Sequence, residues 1–128
     1  MQLKQYFEGH EGVGVLSTAD HRGQVDAAIY ARPHVMTEDN LAFIMADRLS
    51  HANLQSNPHA VYLFIEKGEG YEGVRLYLTK AGEETDPAKI KALRRRPMQQ
   101  DAGDRTRYLV YFKVDRVRPL VGDGPEGD

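Results

Sequence analysis

The chain contains no cysteine. That one absence excludes a disulfide framework, an iron–sulfur cluster, a thiolate nucleophile and every zinc site built with thiolates, and it suits a reducing, cytoplasmic compartment. Long apolar runs are also missing. No stretch approaches the roughly 18 apolar residues that cross a bilayer, and the opening MQLKQYFEGHEG carries no apolar signal region, so neither membrane insertion nor secretion is expected. Positive charge is not in excess, because 17 Lys and Arg stand against 19 Asp and Glu for a formal net charge of −2. Nucleic acid is therefore not an expected partner. The histidines, His10, His21, His34, His51 and His59, form no i, i+4 pair and no H-E-x-x-H motif, so no metal site is predicted.

What is present is ordinary globular composition: 41% hydrophobic and 28% charged over 128 residues, enough for one packed core and too short for two. Residues 2–8 place Leu3, Tyr6 and Phe7 on one side of a short helical turn. Period-two alternation begins at Val13, Val15 and Ser17. It resumes at Val25, Ala27, Ile29 and Ala31 after the turn residues Asp20, His21, Arg22 and Gly23, which reads as a β-hairpin. Pro33 ends that second strand and residues 41–45 make a third, giving three consecutive antiparallel strands.

Ser50 is read as the N-cap of a two-turn helix that stops before Pro58. The continuous apolar run at residues 60–65 suggests a strand buried on both faces. A loop through Gly68, Glu69 and Gly70 leads to a strand with Val74, Leu76 and Leu78 on one face. Asp86 and Pro87 start a helix through about Arg96, stopped by Pro97, and Tyr108, Val110, Phe112 and Val114 mark a long last strand. About six antiparallel strands with short helices and no βαβ alternation predict a mostly β, small barrel over residues 1–121. The polar tail at 122–128 is expected to be disordered. The basic run at residues 89–96 reads as a solvated helix face whose last-turn charges complement the macrodipole.

The stretch from Phe43 to Pro58 is the most informative: a buried strand, then Arg48, then the Ser50 hydroxyl, then a helix. The first N–H groups of a helix have no acceptor within it, and with the macrodipole they favour an anion. Arg48 adds charge-assisted bonds, each contributing roughly 1.5–3 kcal/mol, enough for a phosphate monoester to be held by Arg48, Ser50 and a free amide. The plainer alternative is that Ser50 only caps the helix and Arg48 only faces solvent.

Tyr30-Ala31-Arg32-Pro33, followed by Arg48-Leu49-Ser50, Asn53-Leu54 and Asn57-Pro58, resembles in order and spacing the FMN-binding split-barrel proteins related to pyridoxamine 5′-phosphate oxidase. The resemblance runs over roughly residues 1–120 and implies a split β-barrel of the FMN-binding type. It implies phosphate contacts from Arg48, Ser50 and Asn53, and a second-strand segment, Tyr30, Ala31, Arg32, Pro33 and His34, lying along the isoalloxazine ring. It also implies a homodimer with FMN at the interface, so that Tyr71 and Arg75 come within reach of the partner's flavin. Their alternatives are core packing for Tyr71 and a surface ion pair for Arg75. Arg32 beside the ring would stabilise the negative charge of reduced flavin, or else it is a solvated strand-end residue. His34 would be a proton donor to substrate, or a turn residue beside proline.

Two departures qualify the resemblance. Such relatives commonly carry Lys or Arg directly after the hydroxyl residue, where this chain has His51-Ala52. Pyridoxamine 5′-phosphate oxidase itself has a C-terminal segment in which arginine and histidine contact the vitamin, and the end of this chain, from Arg116 to Gly122, has no such histidine. The reading that follows is an FMN-dependent oxidoreductase acting on a small redox substrate, rather than that oxidase. A non-enzymatic FMN carrier or store, and a split barrel holding another ligand such as haem or a deazaflavin, are the alternatives.

Overall fold

Wherever apolar residues recur at every second position the chain runs as strand, and the computed structural model, which describes residues 2–94 and 106–122, contains seven. They are β1 (Gly12–Ala19), β2 (Val25–Ile29), β3 (His34–Val35), β4 (Asn40–Ala46), β5 (His59–Glu66), β6 (Gly73–Glu84) and β7 (Arg107–Pro119). Three helices accompany them, α1 (Leu3–Gly9), α2 (Leu49–Ser56) and α3 (Pro87–Leu93). Every pairing is antiparallel, in one sheet of order β2-β1-β5-β6-β7-β4-β3.

The sheet is rolled. Leu16 on β1 and Tyr62 and Phe64 on β5 share one core cluster with Leu41, Phe43 and Met45 on β4 and Val110 and Phe112 on β7. The Phe43 and Tyr62 rings meet with centroids 4.9 Å apart. Strands β1 and β4 do not pair, and α2 lies in the seam between them, touching β1, β2 and β4. This is the split barrel expected from the sequence, with α1 closing another side through buried Leu3 and Phe7.

Local chemistry explains the joints. Asp20 Oδ1 accepts from the amides of Arg22 and Gln24 at 2.8 and 3.0 Å, and Gly23 takes φ of 82°, closing the β1–β2 hairpin. Asp86 Oδ1 accepts from the Ala88 amide at 2.9 Å with Pro87 at the first turn of α3, as predicted. Gly14 is required by contact: a Cβ there would lie 1.9 Å from the Tyr62 hydroxyl. Over that glycine the Tyr62 phenol reaches the carbonyls of Tyr30 and Ala31, each at 3.1 Å, and pins the segment that follows β2.

The structure corrects the sequence reading in several places. The expected three-stranded run does not form, since β4 pairs with β7 and with the short, unforeseen β3, whereas among the described residues β2 pairs only with β1. Strand β5 is not buried on both faces; its inner residues are buried, Val61 and Leu63 are half-buried and Ile65 is exposed. Helix α2 is capped by Arg48, so Ser50 sits inside its first turn and is not the N-cap. Helix α3 ends at Leu93, short of Arg96, and Arg95, Arg96, Pro97 and residues 123–128 of the tail lie outside the described residues.

Candidate functional site

The chain leaves β4 at Ala46, turns tightly through the Arg48 amide bonded to the Ala46 carbonyl at 2.9 Å, and enters α2. The first intrahelical bond runs from the Ala52 amide to the Arg48 carbonyl at 3.0 Å. The amides of Leu49, Ser50 and His51 precede it and have no acceptor within the helix. Arg48 is extended and its side chain caps nothing, while Ser50 is buried.

Tyr30 arrives from the far side of the seam. Its ring packs edge-on against Phe43 with centroids 5.7 Å apart, and its phenol lies close enough to the Ser50 hydroxyl and the Arg48 charge to feel both. Burial raises the Tyr30 pKa, partly offset by the neighbouring Ser50 hydroxyl and the Arg48 charge, so the phenol stays protonated at neutral pH and able to donate. Asp26 also faces Tyr30 and adds to the upward shift. Two stretches singled out separately in the sequence, Tyr30 and Arg48-Leu49-Ser50, thus come together at a helix start as a phenol, a hydroxyl and a guanidinium.

Asn53 has a different environment. It is 5% exposed and its amide donates to Thr18 Oγ1 at 3.0 Å, tying α2 to β1 across the seam. Arg32 turns towards α1, where Nη1 donates to the carbonyls of Phe7 at 2.7 Å and His10 at 2.9 Å, satisfying the end of that helix. Ala31 is exposed and Pro33 buried. With His34 and Met36, Arg32 lines an open cleft of about 500 Å³ whose opposite wall includes Lys4 and Phe7 of α1 and Leu93 of α3. Tyr71 is 82% exposed in the β5–β6 loop. Arg75 lies on the outer face of β6, where Nε donates to the Pro119 carbonyl at 2.8 Å and the guanidinium also reaches the Gly122 carbonyl.

In the sequence His51 is one of five histidines without metal spacing and a departure from the family pattern, and the structure gives it a definite place. It is buried, its ring stacks on Tyr108 with centroids 3.7 Å apart, and Nε2 lies 3.1 and 3.0 Å from the two Glu83 oxygens. Lys80 Nζ at 2.7 Å and Gln55 Nε2 at 3.0 Å donate to the same carboxylate. Nothing in local spacing announces this cluster, because Glu83 stands 32 residues from His51. Among the described residues, no group of three or more histidines and carboxylates is placed to hold a metal, and no helix is long and apolar enough to cross a membrane.

The outer face of the first strands is apolar. Cross-strand pairs Val15–Ile29, Ala19–Val25 and Val13–Ile65 align these side chains on one surface, with Val25 82% and Ile29 71% exposed.

No protein-family model and no curated protein matches the chain. Solved structures do. An FMN-binding protein from Syntrophomonas wolfei superposes with a TM-score of 0.73 at 16% identity, over 94% of this chain and 84% of that one. An F420 reductase gives 0.67 at 16% identity, over 88% and 94%. A protein of the pyridoxinephosphate oxidase family from Clostridium acetobutylicum, related to general stress protein 26 of B. subtilis, gives 0.65 at 11% identity, over 92% and 87%. The chain has the split-barrel fold of these proteins.

Proposed function

We propose that this split barrel is an FMN-binding flavoprotein, acting as a flavin-dependent oxidoreductase on a small redox substrate. The observation that carries the reading is the convergence of Tyr30, Arg48 and Ser50 at the start of α2. A phosphate monoester there would receive the Arg48 guanidinium, the Tyr30 or Ser50 hydroxyl and the amides ahead of the first helical bond. The Asp26 carboxylate, which also faces Tyr30, opposes it, so the expected grip is modest. Asn53, committed to Thr18, supports the seat from behind rather than touching the ligand.

From Tyr30 at that seat the chain runs on through Arg32, Pro33 and His34, which line the cleft beside α1, so the flavin ring would lie along this segment. Ala31 and Pro33 supply flat wall and Arg32 a positive charge that favours the reduced ring. His34, which lines the cleft, would exchange a proton with a bound substrate. When bound, the flavin itself supplies the electron-transfer chemistry, which is why the chain needs no triad or carboxylate pair. The apolar face of β1, β2 and β5 supports a homodimer, which brings Tyr71 and Arg75 of one protomer towards the other's flavin.

The test is a spectrum of protein purified without added cofactor, followed by FMN titration of the wild type and of Arg48→Ala/Ser50→Ala. Flavin bands in the wild type, and at least about tenfold weaker FMN binding in a folded double variant, are the expected result, since each charge-assisted bond contributes roughly 1.5–3 kcal/mol. Unchanged titration removes these residues from the site. The likeness to an F420 reductase supports a second reading, a deazaflavin in the same seat, and its distinct absorption spectrum separates the two.

A further inference from the structure

We infer that His51 is a positioning residue for the anion seat, holding Ser50 and its neighbouring amides in place through Glu83 on β6. This rests on the reading of residues 48–50 as a phosphate seat. His51 directly follows Ser50, so the orientation of its ring and the direction of the first-turn amides are set together.

The ring is constrained on two sides. Stacking on Tyr108 at 3.7 Å with an interplanar angle of 13° fixes its plane. Contacts of 3.0 and 3.1 Å from Nε2 to both Glu83 oxygens fix its rotation in that plane. An ionised carboxylate only accepts, so Nε2 must carry a hydrogen. Gln55, one turn further along α2, cannot then donate to Nε2, and its amide serves Glu83 Oε1 at 3.0 Å and the His51 carbonyl at 3.1 Å. Glu83 is thus a common acceptor for two successive turns of α2 and for Lys80 of its own strand. The groups around the ring are Glu83 and Lys80 from β6, Gln55 from α2 and Tyr108 from β7.

Two effects of this arrangement on a phosphate have opposite signs. Glu83 is a negative charge bonded to the residue that follows Ser50, and on electrostatics alone its removal would tighten binding. As the anchor of the His51 ring it holds the seat together, and loosening that hold weakens binding. The structure favours the second, because Lys80 Nζ at 2.7 Å screens the carboxylate while, among the described residues, Glu83 is the acceptor that fixes the rotation of the ring.

The experiment compares FMN with riboflavin, which lacks the phosphate, by fluorescence titration of the wild type, His51→Phe and His51→Gln, with thermal melts of each. His51→Phe keeps a ring over Tyr108 and loses the donor, while His51→Gln keeps an N–H donor. The expected result is an FMN affinity about tenfold lower in His51→Phe, the equivalent of one lost charge-assisted bond, with riboflavin affinity unchanged and most of the FMN loss recovered in His51→Gln. Equal weakening of both flavins, or no change for FMN, overturns the role of His51. Wild-type protein that binds FMN no better than riboflavin overturns the phosphate seat itself, and this inference with it.

Discussion

At the scale of the residue, the most consequential group is one whose partners lie far away in sequence. Burial alone would raise the pKa of Glu83, but hydrogen bonds from Lys80, Gln55 and His51 outweigh it and hold the carboxyl down at about 2. The folded value lies below the 4.5 of an unperturbed glutamate, so the native state gains from ionisation. That contribution is complete above pH about 4.5 and is lost as the pH falls towards 2. Urea unfolding midpoints measured between pH 6 and 3 should therefore fall more steeply for the wild type than for Glu83→Gln, and parallel curves would remove Glu83 as a source of acid sensitivity. The same residue shows where the sequence stops being readable. Arg48 and Ser50 stood out because local spacing places a charge and a hydroxyl at a helix start. Tyr30 joined them only through a family resemblance. His51 gave no signal, because its acceptor reaches it by way of the whole β5–β6 hairpin.

At the scale of the element, α2 is a weak helix made stable by what surrounds it. It has eight residues, no side-chain cap and Ser, His and Asn among its buried positions, so little of its stability is intrinsic. The Asn53–Thr18 bond crosses the seam and is the direct polar tie from this helix to β1. Thr18→Val keeps the shape and removes the acceptor, leaving a buried amide unsatisfied, a loss of about 1–3 kcal/mol in urea unfolding. A change near zero would mean that Leu54 and the His51 cluster alone seat the helix. Alternation and turn residues were enough to find the long strands and the three helices, but strand pairing was a different matter. The reading placed β4 beside β2 because they are near in sequence, whereas β4 buries Leu41, Phe43 and Met45 against Val110 and Phe112 by pairing with β7. Strand β3, only two residues long, is too short for periodicity to reveal.

At the scale of the whole molecule, the apolar alternation that announced β1 and β2 is largely the outer face of the barrel. The inner face of β1 is Gly14, Leu16 and Thr18, and the outer one carries Val13, Val15, Ser17 and Ala19. Burying Val25 and Ile29 against a second copy would each gain roughly 1.5–3 kcal/mol, and it would also cover the open edge of β2, which among the described residues pairs only with β1. Val13 and Ile65 extend the surface across β1 and β5, so the patch runs over three strands and is not a single stray side chain. The proposed homodimer therefore has a concrete test. Sedimentation of the wild type should give twice the 14.4 kDa of the chain, and Ile29→Glu, which places like charges against each other across a twofold axis, should give the single-chain mass with its circular dichroism unchanged. If the cofactor lies between protomers, Ile29→Glu should also lose FMN although it leaves Tyr30, Arg48 and Ser50 intact. A monomeric variant that retains full FMN affinity would place the flavin wholly within one barrel, and would take Tyr71 and Arg75 out of the site.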